Sequence, residues 1–141
     1  MITLTNADEI TFTALCLWRE ARGESTEAKI GVACSIMNRV NRPSWWGKSV
    51  MGVLFKKWQY SSLTDPKDRQ LTLWPVQGPV WTECMTIAHD VLYGMVENPV
   101  PGADSYHDIS IPSPKWAKPE MFVRQIGRIR FYNVGMDYEY A

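Results

Sequence analysis

The sequence predicts a mainly helical α+β fold, on three observations. Two apolar stripes at helical spacing follow each other closely near the start, parted by Gly23, and a third runs over 80–93. Beyond it, Pro99, Pro101, Pro112, Pro114 and Pro119 forbid a long helix across 97–119. After them, Arg128-Ile129-Arg130-Phe131-Tyr132 alternates with strand period, so a small antiparallel β hairpin is expected near the C-terminus. A chain of 141 residues supports one core and leaves little room for a second, and residues 1–141 are read as one domain.

The first helix is expected over 7–22, with Asn6 and Glu9 as a capping box and Asp8 favouring its start. Ile10, Ala14, Leu17 and Ala21 share one face, and Phe12, Leu15 and Trp18 cover the others. A helix apolar all round is buried. Gly23 stops it, and Ser25 caps a second helix whose stripe is Ile30, Ala33, Met37 and Val40, widened by Ile36. That helix ends near Asn41, ahead of Pro43. Because the joining turn is short, the two helices must pack on each other.

Trp45-Trp46-Gly47 reads as a turn, and Ser49 caps a short helix through Val50, Val53 and Leu54, with Phe55 in the core. Residues 56–77 lack periodicity but interleave aromatic and polar side chains: Trp58, Gln59, Tyr60, Ser61, Ser62, Asp65, Asp68. They form either a surface loop or a cleft wall suited to sugar hydroxyls and ring faces. Pro79 opens the clearest late helix, which buries Val80, Cys84, Ile87 and Val91, turns His89 to the polar side and stops at Gly94. Ser105-Tyr106-His107 is a short strand.

Bulk properties exclude several functions. The 15 basic and 15 acidic residues cancel, so no global field recruits nucleic acid or an anionic membrane. Residues 1–6 show neither a basic start nor an apolar run, and no stretch approaches a membrane span. The expectation is synthesis in the cytoplasm without a signal peptide. Three cysteines on separate predicted helices argue against a disulfide framework. With two histidines, no paired cysteine spacing and no Gly-rich phosphate loop, no metal or cofactor is expected. The seven tryptophans serve either a well-anchored core or flat walls for sugar rings.

The chemistry centres on Trp18-Arg19-Glu20-Ala21-Arg22-Gly23-Glu24-Ser25. On a helical wheel Glu20 falls beside Leu17, Cys16 and Thr13, so its carboxylate emerges among apolar side chains. That placement raises its pKa, as a general acid for glycoside cleavage requires near neutral pH. The alternative is an ion pair with Arg19, Arg22 or a distant arginine. Glu24 lies beyond the Gly23 stop, where it serves either as a second carboxylate or as charge at the start of the next helix.

Glu20-Ala21-Arg22-Gly23-Glu24, followed by the helix carrying Ala33, Ile36, Met37, Asn38, Arg39 and Val40, resembles the catalytic signature of the SleB-like cell wall hydrolases. That family comprises spore cortex-lytic enzymes and related bacterial and phage proteins. The similarity continues through Gln59-Tyr60-Ser61, Tyr106-His107, Pro114 with Trp116, and Ile126-Gly127 leading to Phe131-Tyr132, covering roughly residues 8–133. The resemblance implies a lysozyme-like fold and cleavage of peptidoglycan glycan strands between N-acetylmuramic acid and N-acetylglucosamine. It further implies lytic transglycosylation with Glu20 as both acid and base. Gln59, Tyr60, Ser61, Tyr106 and His107 would line the site, His107 as a sugar contact or a partner for the glutamate.

A hydrolytic muramidase would instead need a second carboxylate, from Glu24, Asp65 or Asp68. A wall-binding or phage structural protein without activity is the reading from another class. The expected setting is a monomeric phage endolysin, reaching the wall through a separate holin pore or from within a virion.

Overall fold

The computed structural model describes residues 4–135. Helix α1 (Leu4–Ala21) runs against α5 (Pro79–Leu92), and both pack on α2 (Thr26–Asn41), as their shared apolar faces demand. Ile10, Ala14 and Leu17 of α1 meet Ala28, Val32 and Ala33 of α2 and Cys84, Ile87 and Val91 of α5 in one buried cluster. The predicted start and stop signals of α2 and α5 hold. Ser25 accepts the Ala28 amide at 3.1 Å, Pro79 occupies the first turn of α5, and Gly94 follows that helix with φ +66°.

A three-stranded antiparallel sheet in the order β1-β3-β2 lies against α2, built from β1 (Ser105–Asp108), β2 (Phe122–Ile126) and β3 (Ile129–Tyr132). Gly127, at φ +57°, turns β2 into β3, and Tyr106 of β1 sits opposite Phe131 of β3. The sheet approaches closely because α2 carries Gly31, where a Cβ would stand 2.7 Å from Phe131 Cζ. The fold is thus the expected mainly helical α+β one, with a third strand added. Strand β2 left no period-2 signal because its register slips between Phe122 and Arg124 and only Ile126 is fully buried.

A second cluster reaches from the core to the site. Around α3 (Val50–Leu54), whose N-cap is Ser49 as expected, Trp46, Val50, Val53 and Leu54 pack with Ile36, Cys16 and Tyr60. Beyond α3 the chain forms α4 (Ser61–Thr64) and a 3-10 turn (Arg69–Thr72) along the C-terminal end of α1.

Three expectations are corrected. Helix α1 is already formed at Leu4, so Asn6 lies inside it and cannot be the N-cap of a capping box. Phe55, 42% exposed, closes α3 on the surface and meets Phe12 edge-on at 5.3 Å instead of entering the core. Val80, 44% exposed, belongs to the first turn of α5 and lines a surface groove with Trp18, Trp74 and Trp81. Among the described residues no helix is long and apolar enough to cross a membrane.

Candidate active site

Three elements bring hydrogen-bond donors to the last turn of α1. Glu20 Oε1 accepts the hydroxyl of Tyr106 from β1. Glu20 Oε2 accepts Ser62 Oγ from α4 at 2.7 Å and, more weakly, Cys16 Sγ from the preceding turn at 3.5 Å. Burial pushes the Glu20 carboxyl above its ordinary range, and the charge of Asp68 adds to the rise. The bonds from Tyr106, Ser62 and Cys16 oppose it without cancelling it. The Tyr106 phenol and the Cys16 thiol are themselves driven well upward, first by burial and then by Glu20, so both keep their protons and act as donors.

The neighbouring arginines turn elsewhere. Buried Arg19 donates to Ser62 O at 2.9 Å through one nitrogen and to Leu73 O at 3.2 Å through its Nε, with Trp74 4.7 Å beneath the guanidinium. Arg22 donates to Trp18 O at 3.0 Å and to Gln70 Oε1 at 2.8 Å. Together they tie residues 62–73 to the end of α1, and the ion-pair reading of Glu20 with Arg19 or Arg22 is set aside. The loop that supplies Ser62 is held by these same bonds.

Glu20 opens into a cleft of about 240 Å³. Tyr60 and Arg39 form one side: the guanidinium lies 5.4 Å from the centre of the buried Tyr60 ring and donates to Asp104 O at 2.7 Å and to Gln59 Oε1 at 3.0 Å. Because Gln59 accepts from Arg39 through its oxygen, its amide NH₂ is the group it offers a ligand. Trp58 and Trp116 add two indoles to the lining.

A buried carboxyl facing neutral donors in a polar, aromatic-lined cleft is equipped for proton transfer to a sugar oxygen. The sequence model described as Cell Wall Hydrolase matches residues 23–132, most of the chain. The chain belongs to the cell wall hydrolase family. It is therefore an enzyme of peptidoglycan degradation. No curated protein sequence matches the chain. Among solved structures it resembles the catalytic domain of the germination-specific lytic transglycosylase SleB from Bacillus anthracis, at 24% identity over 89% of this chain and 93% of that one, with a TM-score of 0.70. It likewise resembles the catalytic domain of the Bacillus cereus SleB protein, at 24% identity over 89% and 90% of the two chains, with a TM-score of 0.69. These likenesses establish the fold as that of the SleB catalytic domain, which is the expected lysozyme-like one.

In this cell wall hydrolase the residues singled out from sequence divide. Glu20, Gln59, Tyr60 and Tyr106 share the cleft. Ser61 does not join them: its hydroxyl donates to Asp68 Oδ2 at 2.7 Å, and the next residue, Ser62, reaches Glu20. His107 also faces away from Glu20, because consecutive strand residues point to opposite sides of the sheet. Its ring stacks on Tyr132 at 5.4 Å and meets Trp116 edge-on at 6.0 Å. Its Nδ1 lies 3.0 Å from Asp108 O, which can only accept. In the neutral ring Nδ1 therefore carries the hydrogen, and Nε2 accepts from Tyr132 Oη at 3.1 Å. His107 thus backs the Trp116 wall of the cleft.

Glu24 does not line the cleft, and its carboxylate faces the β2–β3 turn at Gly127. Asp65 and Asp68 accept the backbone amides of Lys67 at 2.9 Å and Gln70 at 2.8 Å, which shapes the loop. Among the described residues, no group of three or more His, Cys, Asp or Glu could hold a metal.

Trp58 and Ser62 fall in the stretch read as a loop or cleft wall, and Arg39 and Trp116 among the residues that carry the resemblance, but none of the four was singled out for the site that they join. For Arg39 a signal existed: it follows Val32 by seven and Ile36 by three, which puts a charge on the buried stripe of α2. Nothing local distinguishes Ser62 from Ser61.

Proposed function

We propose that this cell wall hydrolase cleaves the glycan strand between N-acetylmuramic acid and N-acetylglucosamine as a lytic transglycosylase, with Glu20 as the single acid and base. One observation carries this reading: among the described residues, Glu20 is the only acidic one lining the cleft, and its donors are neutral. Hydrolysis by inversion or retention uses two carboxyl groups across the scissile bond, whereas intramolecular transfer needs one.

In the first step protonated Glu20 gives its proton to the glycosidic oxygen as the C1–O bond breaks, leaving positive charge at C1 and a carboxylate at position 20. Tyr106 and Ser62 hold that carboxylate in place. In the second step it takes the proton of the muramic C6 hydroxyl while O6 bonds to C1, which closes the 1,6-anhydro ring and regenerates the acid. No water is consumed. The Gln59 amide, fixed by Arg39, is placed to donate to the carbonyl of an N-acetyl group, and Tyr60 supplies an aromatic wall.

Mass spectrometry of fragments released from purified peptidoglycan by wild type and Glu20→Gln tests the reading. Fragments ending in 1,6-anhydro-muramic acid, lost in the variant, are expected. Reducing ends would instead indicate a muramidase, with Asp68, whose charge is felt at Glu20, as the carboxylate to replace next. Binding without cleavage by wild type would leave a wall-binding protein. The biological setting we propose is phage lysis by a monomer that meets the wall through a holin pore or from a virion. Expression inside a bacterium should then cause lysis only when the inner membrane is also permeabilised, and lysis without it would reject that route.

A further inference from the structure

Trp58 stands where neither turn chemistry nor core packing calls for a tryptophan. The Gln59 amide bonds Lys56 O at 3.1 Å, which makes 56–59 a tight turn with Trp58 at its third position. Trp58 has φ +70°, in the left-handed region, and among the described residues it is the one non-glycine with positive φ. Glycine is the residue that fills such a turn position without strain, and a bulky side chain there is a true outlier. Packing does not explain the choice, because Trp58 is 68% exposed. Its ring carries the Lys57 ammonium 5.0 Å from its centre and lines the same cleft as Glu20, next to Gln59. Strain held at a site wall, with a large apolar face left in water, points to a ligand that covers that face.

We propose that Trp58 is a stacking platform for a sugar ring of the glycan strand, acting in strand binding and substrate choice and not in proton transfer. This rests on the reading of the cleft as a glycan site. The flat indole offers its face to the C–H side of a pyranose, while the adjacent Gln59 amide takes the polar substituent of the same or the neighbouring ring. Such an aromatic contact corresponds to about tenfold in affinity.

The test uses the full chain in two measurements. Glu20→Gln, with and without Trp58→Gly or Trp58→Phe, is titrated with a soluble N-acetylglucosamine oligomer by calorimetry. In parallel, KM and kcat on purified peptidoglycan are measured for the Trp58 variants with Glu20 intact. Trp58→Gly is expected to weaken oligomer binding and raise KM by about tenfold while kcat stays within about twofold, and Trp58→Phe to recover most of the loss. Glycine suits the left-handed turn, so Trp58→Gly should melt no lower than wild type, which separates a binding defect from misfolding. Unchanged binding and KM in Trp58→Gly, a loss confined to kcat, or no oligomer binding by the parent would overturn the proposal. If wild type failed to cleave while the oligomer still bound through Trp58, the transglycosylase reading would fall and the platform would stand.

Discussion

Replacing Tyr106 by phenylalanine separates the orientation of Glu20 from everything else the β1 strand does. The substitution keeps the ring and its contact with Phe131, 6.0 Å between centres, and removes only the hydroxyl that donates to Glu20 Oε1. Of the bonds that favour the ionised Glu20, this one counts most, ahead of those from Ser62 and Cys16. A hydrogen bond to a charged group contributes about 1.5–3 kcal/mol. That bond is stronger to the carboxylate than to the protonated acid, so its contribution grows as the proton leaves for the glycosidic oxygen. Losing it should slow fragment release by roughly 10- to 100-fold if the charge on Glu20 is fully developed in the transition state. It should also leave Glu20 holding its proton to higher pH. The active form of an acid is the protonated one, so the limb on which kcat/KM falls with rising pH must move upward. The assay is the pH profile of soluble fragment release for wild type and Tyr106→Phe, with near-ultraviolet circular dichroism to check the fold. An alkaline limb that stays in place or moves to lower pH, or an undiminished plateau rate, would refute the assignment of Tyr106 as the donor that tunes Glu20.

Two further outcomes follow from the same structure. The Glu20 carboxyl titrates above its ordinary range in the fold, so the stability it contributes is fully present in acid, below the unfolded value, and is lost as pH rises through the raised one. Glu20→Gln, which mimics the protonated form, should match wild type in acidic urea melts and exceed it at neutral pH, and equal stability at both would contradict a buried, unpaired carboxylate. Gly31→Ala should gain up to about 1 kcal/mol in helix propensity and lose about 1–3 kcal/mol to overpacking. The new Cβ would stand 2.7 Å from Phe131, a fully buried ring that would have to shift, so denaturant titration should show a net loss and a gain would refute the packing argument.

What could be read from the sequence is what local chemistry encodes. Ser25, Ser49, Pro79 and Gly94 announce helix ends because caps and stops act within a few residues, and the structure uses all four. Glu20 could be found because one wheel places it among apolar side chains. Its partner Tyr106 lies 86 residues away, and its bond to Glu20 exists only once β1 has docked beside α1. Ser61 and Ser62 differ by a single helical step of about 100°, enough to send one hydroxyl to Asp68 and the other to Glu20, and no sequence pattern fixes that rotation. The placement of His107 was open to reasoning: if Tyr106 faces the acid, strand alternation turns its neighbour away. Phe55 shows the opposite limit, since an aromatic at the end of a five-residue helix is as well placed to pack on the surface as to enter the core.

Two arginines beside the acid look like a threat to it, because a guanidinium paired with Glu20 would hold the carboxylate ionised and leave no proton to donate. Helical geometry removes the threat. Arg19 lies on α1 and Arg22 just past its end; if the helical screw is carried one residue on, the two are about 60° apart, while Glu20 points about 100° from the first and about 160° from the second. Their donors therefore enter the segment packed on another side of the helix, where they reach the carbonyls of Ser62 and Leu73 and the amide of Gln70. Ser62 is where the two roles meet: its carbonyl accepts from Arg19 at 2.9 Å and its hydroxyl donates to Glu20 at 2.7 Å. Arg19 thereby fixes the direction of the carboxyl through a neutral intermediary. The carboxyl is oriented by a cation it never touches, and it keeps the raised pKa that the proposed proton donation requires.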